Sequence, residues 1–225
     1  FLLVMKNKST EDYLKHIFWL SRMRDKITTK AIAERMGISS ASVTDMIKKL
    51  THHGYLDYTP YYGVRLTTKG DKLALKVIRR HRLLEAFLVK ALGYSWEAVH
   101  DEAERLEHVI SEEMEHRLDE FLGHPRYDPH GDPIPTHEGK MEEIHHPSLA
   151  ELSVGDTARI MQVRDSEELL KYMKRIRLSL NSRIRICAKE SYDNSMRLRI
   201  DGKEEHTLSH DVTSNIFVKK EKEKK

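Results

Sequence analysis

The run Ala31-Ile32-Ala33-Glu34-Arg35-Met36-Gly37-Ile38-Ser39 constrains this chain more than any other stretch. Ala31, Ile32, Ala33 and Met36 supply a small-residue apolar face, suited to a closely crossing second helix. Gly37 permits the tight turn, and Ile38 plugs the space between the helices. Ser39 or Ser40 caps a new helix carrying Val43, Met46, Ile47 and Leu50. Together these are the signature of a helix-turn-helix. A preceding helix starts at Ser9-Thr10-Glu11-Asp12, repeats Tyr13, Leu14, Ile17, Phe18 and Leu20 at helical spacing, and ends at Arg24-Asp25-Lys26. Residues 54–58 and 64–67 alternate as β segments around the turn Thr59-Pro60-Tyr61-Tyr62-Gly63, which makes them a wing. Residues 1–75 therefore predict a winged helix-turn-helix that sets one helix in the DNA major groove.

On that helix Ser39, Ser40, Ala41, Ser42 and Thr44 are small enough to approach base edges, with hydroxyls to offer and thymine methyls to pack against. Several of these serines could equally serve only as helix caps. Lys48 and Lys49 are placed to hold phosphates, as are Thr29, Lys30 and, on the wing, Tyr62 or Arg65.

The net charge of +3 over 225 residues hides a strong segregation. Residues 1–83 carry 17 Lys+Arg against 7 Asp+Glu, whereas residues 84–147 carry 5 against 16 and hold 8 of the 14 histidines. The first balance suits a polyanion and the second suits a cation, although a solvated acidic helix would look alike. The single Cys187 excludes an internal disulfide framework and a multi-cysteine zinc site, and a reducing cytoplasm is the default compartment. No apolar run approaches membrane-spanning length, so no membrane partner is expected. The opening Phe1-Leu2-Leu3-Val4-Met5 is too short for a signal peptide, and Met5 reads as a natural start.

Five segments follow from the pattern. The winged helix of 1–75 leads into a helical domain at 76–123, in which residues 96–121 form the longest helix. That helix carries a stripe of Val99, Ala103, Leu106, Val109, Ile110, Met114 and Leu118. Residues 124–147, rich in Pro, Gly and His, are a linker. Residues 148–218 alternate as short strands at 157–161, 184–187, 196–200 and 215–218, with one brief helix near 166–173, and a small β-barrel is their natural closure. The charge run 219–225 is expected to be disordered. The fold class is thus mainly α with a β-barrel.

Three spacings carry chemistry. His100, Glu104, Glu107 and His108 fall at i, i+4, i+7 and i+8, on one face of a helix. His81 and Glu85 fall at i, i+4 on the helix before it. Asp12 lies in the first turn of the first helix, where an acid also favours the positive helix end. Each pair can chelate one ion, and each alone is also common on solvated helices.

The chain resembles the diphtheria toxin repressor family of iron- and manganese-dependent transcriptional repressors. The resemblance is carried by Thr10-Glu11-Asp12-Tyr13-Leu14, Ile38-Ser39-Ser40-Ala41-Ser42-Val43-Thr44, Tyr62-Gly63-Val64-Arg65-Leu66-Thr67, Arg80-His81-Arg82-Leu83-Leu84-Glu85, residues 99–108 and Asp128-Pro129-His130-Gly131-Asp132-Pro133-Ile134-Pro135. It covers nearly the whole chain in family order. It implies a metal-binding and dimerisation role for the helical domain, and an SH3-like, FeoA-like fold for 148–218. It also implies a primary metal site of Asp12, Glu104, Glu107 and His108. A secondary site would draw on His81, Glu85 and His100, with Asp128, His130, Asp165 and Glu168 as further candidates. In many relatives a cysteine stands where this chain has Asp128. The carboxylates Asp12 and Glu104 resemble the manganese-sensing branch, because the iron-sensing branch has methionine and cysteine there. Hard oxygen ligands with one imidazole suit Mn2+, or alternatively Fe2+, while Zn2+ and other divalent ions would fill such sites in vitro.

The resemblance implies a non-enzymatic homodimer that binds double-stranded operator DNA when metal-loaded, controls metal-ion homeostasis genes and takes no small-molecule substrate. Two alternatives are a metal-dependent hydrolase built on the His/Glu cluster and a metal-independent architectural DNA-binding protein.

Overall fold

The computed structural model describes residues 8–221. The chain packs as two compact units that do not follow sequence order. The first runs through Leu84 and takes in Glu104–Leu118 and Ile134–Glu142. The second comprises Glu85–Ala103, Asp119–Pro133 and the chain from Glu143 onward.

In the first unit, α1 (Lys8–Met23), α2 (Thr29–Met36) and α3 (Ser40–His52) precede a hairpin of β1 (Leu56–Thr59) and β2 (Gly63–Leu66). Thr28 caps α2 by accepting from the Ala31 amide. Gly37 ends it in the left-handed region at φ 66°, which lets α3 cross so soon afterwards. The hairpin is antiparallel, with Leu56 opposite Leu66 and Thr59 opposite Gly63, and Ile27 adds a bridge to Val64. Leu14, Ile17, Ile32, Val43, Ile47, Leu50, Leu56, Val64 and Ile78 share one buried core. The winged helix-turn-helix is therefore present as expected.

The helical region departs from expectation. The longest helix is α4 (Thr68–Leu92), with 25 residues. The stretch 96–121 breaks into α5 (His100–Leu106) and α6 (Glu112–Leu122). Ser111 is the reason: its hydroxyl accepts from the Met114 amide and starts a new helix followed by Glu112 and Glu113. Glu107 and His108 thus lie in a turn, not on a continuous helix face. Val109 and Met114, placed on the buried stripe by periodicity, are exposed.

In the second unit, β3 (Thr157–Val163), β4 (Arg183–Lys189), β5 (Met196–Ile200), β6 (Glu205–Leu208) and β7 (Ile216–Lys220) form an antiparallel sheet in the order β6-β5-β4-β3-β7. Helix α7 (Glu167–Arg175) follows β3, and the short α8 (His210–Ser214) connects the two edge strands. Strand β6 and helix α8 were not legible beforehand, because Glu205-His206-Thr207-Leu208 offers only one strongly apolar position. The run 219–225 is not uniformly a loose tail. Lys219 and Lys220 complete the β7 ladder against Arg159 and Ala158, and the Glu221 amide donates to the Thr157 carbonyl; residues 222–225 lie outside the described residues.

The linker is ordered where it meets the sheet. The Val163 amide donates to the His130 carbonyl. Gly131, at φ 88°, lies so close to β3 that a Cβ there would sit 2.1 Å from the Met161 carbonyl oxygen.

Candidate metal centre

The first cluster lies within the first unit. Helix α1 presents Glu11, Asp12 and Lys15 to the turn that follows α5. The His108 Nδ1 lies 2.6 Å from Glu11 Oε2, and its Nε2 lies 2.8 Å from Asp12 Oδ1 and 3.3 Å from Glu107 Oε1. One ligand atom from each of Asp12, Glu104, Glu107 and His108 falls within 4.8 Å of the others. Glu11 holds the Nδ1 side of the ring and leaves Nε2 facing the carboxylates, an arrangement that orients an imidazole ligand. The His108 Nε2 is buried and makes no hydrogen bond of good geometry, so Asp12 and Glu107 approach it without satisfying it. A buried, unsatisfied nitrogen among three carboxylates fits a divalent cation.

Lys15 enters the same cluster. It is 5% exposed, and its Nζ donates to Glu104 Oε1 at 2.5 Å and to Glu107 Oε1 at 2.6 Å. Burial alone would lower its pKa, but the Glu107 and Glu104 carboxylates outweigh burial and raise it. Burial would likewise lower His108, yet the neighbouring carboxylates of Asp12 and Glu11 bring it up to about 9. Burial would raise the Asp12 carboxyl, whereas His108 and Lys15 together hold it below the usual carboxylate range. His81, expected in the secondary site, sets its Nδ1 2.6 Å from Glu107 Oε2.

The second cluster lies within the second unit, around Glu85, which is 1% exposed. Two trios share it: Glu85, Asp128 and His130, and Glu85, His100 and Asp165. The His100 Nδ1 lies 2.6 Å from Asp165 Oδ2 and 3.5 Å from Glu85 Oε1. The Asp165 and Glu85 carboxylates beside it push the His100 pKa up to about 10 against the effect of burial. The His130 Nε2 donates to the Trp96 carbonyl at 2.9 Å, which leaves Nδ1 toward Glu85 Oε2 at 3.9 Å. Asp128 Oδ1 accepts from the amides of His130 and Asp132, so the linker turn fixes the carboxylate. Glu168 is exposed and joins neither trio. Sequence reasoning missed Glu11, Lys15 and Trp96. Glu11 was visible only as an acid of a helix start, and Lys15 is simply one helical turn beyond it.

Residues 5–64 match the family described as iron dependent repressor, N-terminal DNA binding domain. Residues 67–136 match its metal binding and dimerisation domain, and residues 148–220 match the FeoA domain. The iron-dependent repressor IdeR of Mycobacterium leprae is 31% identical over 225 residues, covering 94% of this chain and 97% of the relative. The chain belongs to the iron-dependent repressor family. Like its relatives it is thus a metal-dependent transcriptional repressor, and the family is not one of enzymes. Among solved structures, a manganese-dependent transcriptional repressor in complex with manganese is 38% identical with a TM-score of 0.86; the likeness covers 94% of this chain and 99% of that one. ScaR with bound Zn2+ is 37% identical, with a TM-score of 0.78 over 94% of this chain and 99% of its own.

In this repressor the residues expected to meet DNA separate into two groups. Ser40, Ala41, Ser42, Lys48 and Lys49 are exposed on α3, as are Lys30 on α2 and Tyr62 and Arg65 on the wing, with Thr29 half-buried at the start of α2. The hydroxyls of Ser39 and Thr44 are engaged within the helix: Ser39 accepts from the Ser42 amide, and Thr44 donates to the Ser40 carbonyl. Ser39 is therefore an N-cap. Tyr61, absent from the expected set, is 92% exposed at the wing tip beside Tyr62 at 81%. Its φ of 66° places it at the turn itself, where strand alternation gives no signal. Among the described residues no helix is long and apolar enough to cross a membrane.

Proposed function

We propose that this repressor is activated by Mn2+, with Fe2+ as the alternative, and then binds operator DNA as a homodimer to control metal-ion homeostasis genes in the cytoplasm. The primary ligands are Asp12, Glu104, Glu107 and His108. The secondary ligands are Glu85, His100, Asp128, His130 and Asp165. The observation that carries the reading is the orphaned His108 Nε2 amid Asp12 and Glu107, backed by Glu11 on the other ring nitrogen. Carboxylate oxygens with one imidazole match the hard, borderline character of Mn2+ and Fe2+, and neither site contains a thiolate that would select a softer ion.

Asp12 rides on the first helix of the DNA-binding fold, whereas Glu104, Glu107 and His108 belong to α5 and its following turn. A divalent ion supplies the charge that lets three carboxylates and an imidazole converge. The chain's part is to bring α1 and that turn together, which restricts where α3 can point. Two-fold repressors need recognition helices about 34 Å apart, so such a restriction would favour the DNA-competent dimer by roughly 1–3 kcal/mol per site. Exposed Leu92, Tyr94 and Phe121 in the second unit offer apolar area for a second copy.

The deciding experiment is a DNA-binding titration with each divalent metal, with Fe2+ handled anaerobically. Affinity should rise with Mn2+ or Fe2+ and fall again on chelation. Affinity that ignores chelation would sink the reading and favour the architectural alternative.

A further inference from the structure

The outward face of the C-terminal sheet carries an arginine lattice that neither metal cluster nor the winged helix uses. On β4, exposed Arg183 and Arg185 alternate with buried Ile184 and Ile186. On β5, exposed Arg197 and Arg199 alternate with buried Met196, Leu198 and Ile200, and β3 adds Arg159. The register sets like charges side by side. Arg159 is directly opposite Arg183 on one side and Lys219 on the other, and Arg185 is directly opposite Arg199.

Like charges in directly opposed positions destabilise an antiparallel pair. Acids answer only part of this repulsion. Glu221 bridges Arg159 at 3.0 Å and Arg183 at 2.6 Å, while Glu205 pairs with Arg199 at 2.7 Å and with Arg197 at 3.6 Å. Among the described residues Arg185 has no ion pair. Arg159, Arg183, Arg185 and Arg199 line one cleft of about 480 Å3, together with Thr157 and Asp201. Arginine forks match phosphate oxygens and keep their charge at any working pH. Strands roughly 4.8 Å apart spread these charges in rows, a shape that suits an extended polyanion better than one small ion.

We propose that the outward face of β3, β4 and β5 is a second, sequence-independent contact surface for the phosphate backbone of duplex DNA. It goes beyond the reading of the winged helix as the operator-binding element. The charge complementarity is that of duplex DNA, the partner class of the family, and the lattice lies in the FeoA domain rather than in the N-terminal DNA binding domain.

The test uses the full chain with Arg185→Gln and Arg199→Gln together, which keeps much of each aliphatic stem and relieves the directly opposed Arg–Arg pair in which Glu205 reaches only Arg199. Lys171→Gln with Lys203→Gln removes the same charge elsewhere on the domain. Binding to a random-sequence duplex of about 40 base pairs is followed from 50 to 200 mM salt. Two lost phosphate contacts flatten the slope by about 1.8, so the wild type should lose about tenfold more affinity over that range than the arginine variant. The lysine variant should keep the wild-type slope. Thermal melting checks that both variants fold. Equal slopes for wild type and arginine variant overturn the proposal, as does equal flattening in the lysine variant. Unchanged DNA slopes with Arg185-dependent binding of an oligoglutamate peptide overturn it in favour of an acidic protein partner. The comparison is run with and without Mn2+. A missing Mn2+ response counts against the metal reading alone, while the salt slopes still decide this one.

Discussion

Residue identity sets the chemistry of the first cluster, but the neighbours that tune it come from far along the chain. Glu11 and Lys15 meet His108, Glu104 and Glu107 across sequence separations of 89 to 97 residues. Glu11 receives the Nδ1–H of His108 and so fixes which nitrogen faces the ligands. Glu11→Gln should weaken Mn2+ affinity about 10- to 100-fold without unfolding the chain, as loss of an orienting partner does at metal sites. Calorimetric titration reads it directly, and an unchanged affinity would remove Glu11 from that role. The same histidine predicts a pH dependence. Its pKa rises from 6.5 unfolded to about 9 folded. Its contribution to stability is then complete below pH 6.5 and lost as pH climbs through about 9. Chelator-treated protein should melt at progressively lower temperature across that window. A flat or rising melting temperature there would contradict the ion-pair geometry of His108 with Glu11 and Asp12.

Among the elements, the short ones decide most. Ser111 ends what periodicity reads as one long helix, and the resulting turn aims Glu107 and His108 at α1. The second cluster depends on the linker turn that seats Asp128 and His130 against β3. Gly131→Ala forces a Cβ into the Met161 carbonyl and strains a positive φ. The strain alone is worth about 1–3 kcal/mol. That variant should lose one metal equivalent while retaining the first, and equilibrium dialysis with Mn2+ would count them. Retention of both would mean that Asp128 and His130 are not ligands. The wing and the helix-turn-helix were legible in sequence because caps, glycine turns and alternation are local. Strand β6 was not, because Glu205 and Thr207 face outward and only Leu208 is deeply buried.

For the whole molecule, charge segregation gives the winged helix a basic balance, which suits phosphate neutralisation rather than base reading. Lys49→Ala on α3 should weaken binding to all duplex sequences and reduce the salt slope by about 1. A loss confined to one sequence would instead place Lys49 at a base edge. His81 and Glu85, one helical turn apart on α4, fall in different compact units. His81 joins Glu107, and Glu85 joins His130 and His100.

The sequence by itself determined the element types of the DNA-binding fold, the candidate ligand residues and the mostly hard, oxygen character of their donor atoms. Each of these rests on short-range periodicity, capping or the chemistry of single side chains. Only the tertiary structure decided which ligands share a cluster, that Glu11 orients His108, and that Lys15 lies among the carboxylates. Those facts depend on which turns interrupt the helices and on which distant side chains are buried together, and an i, i+4 spacing carries neither.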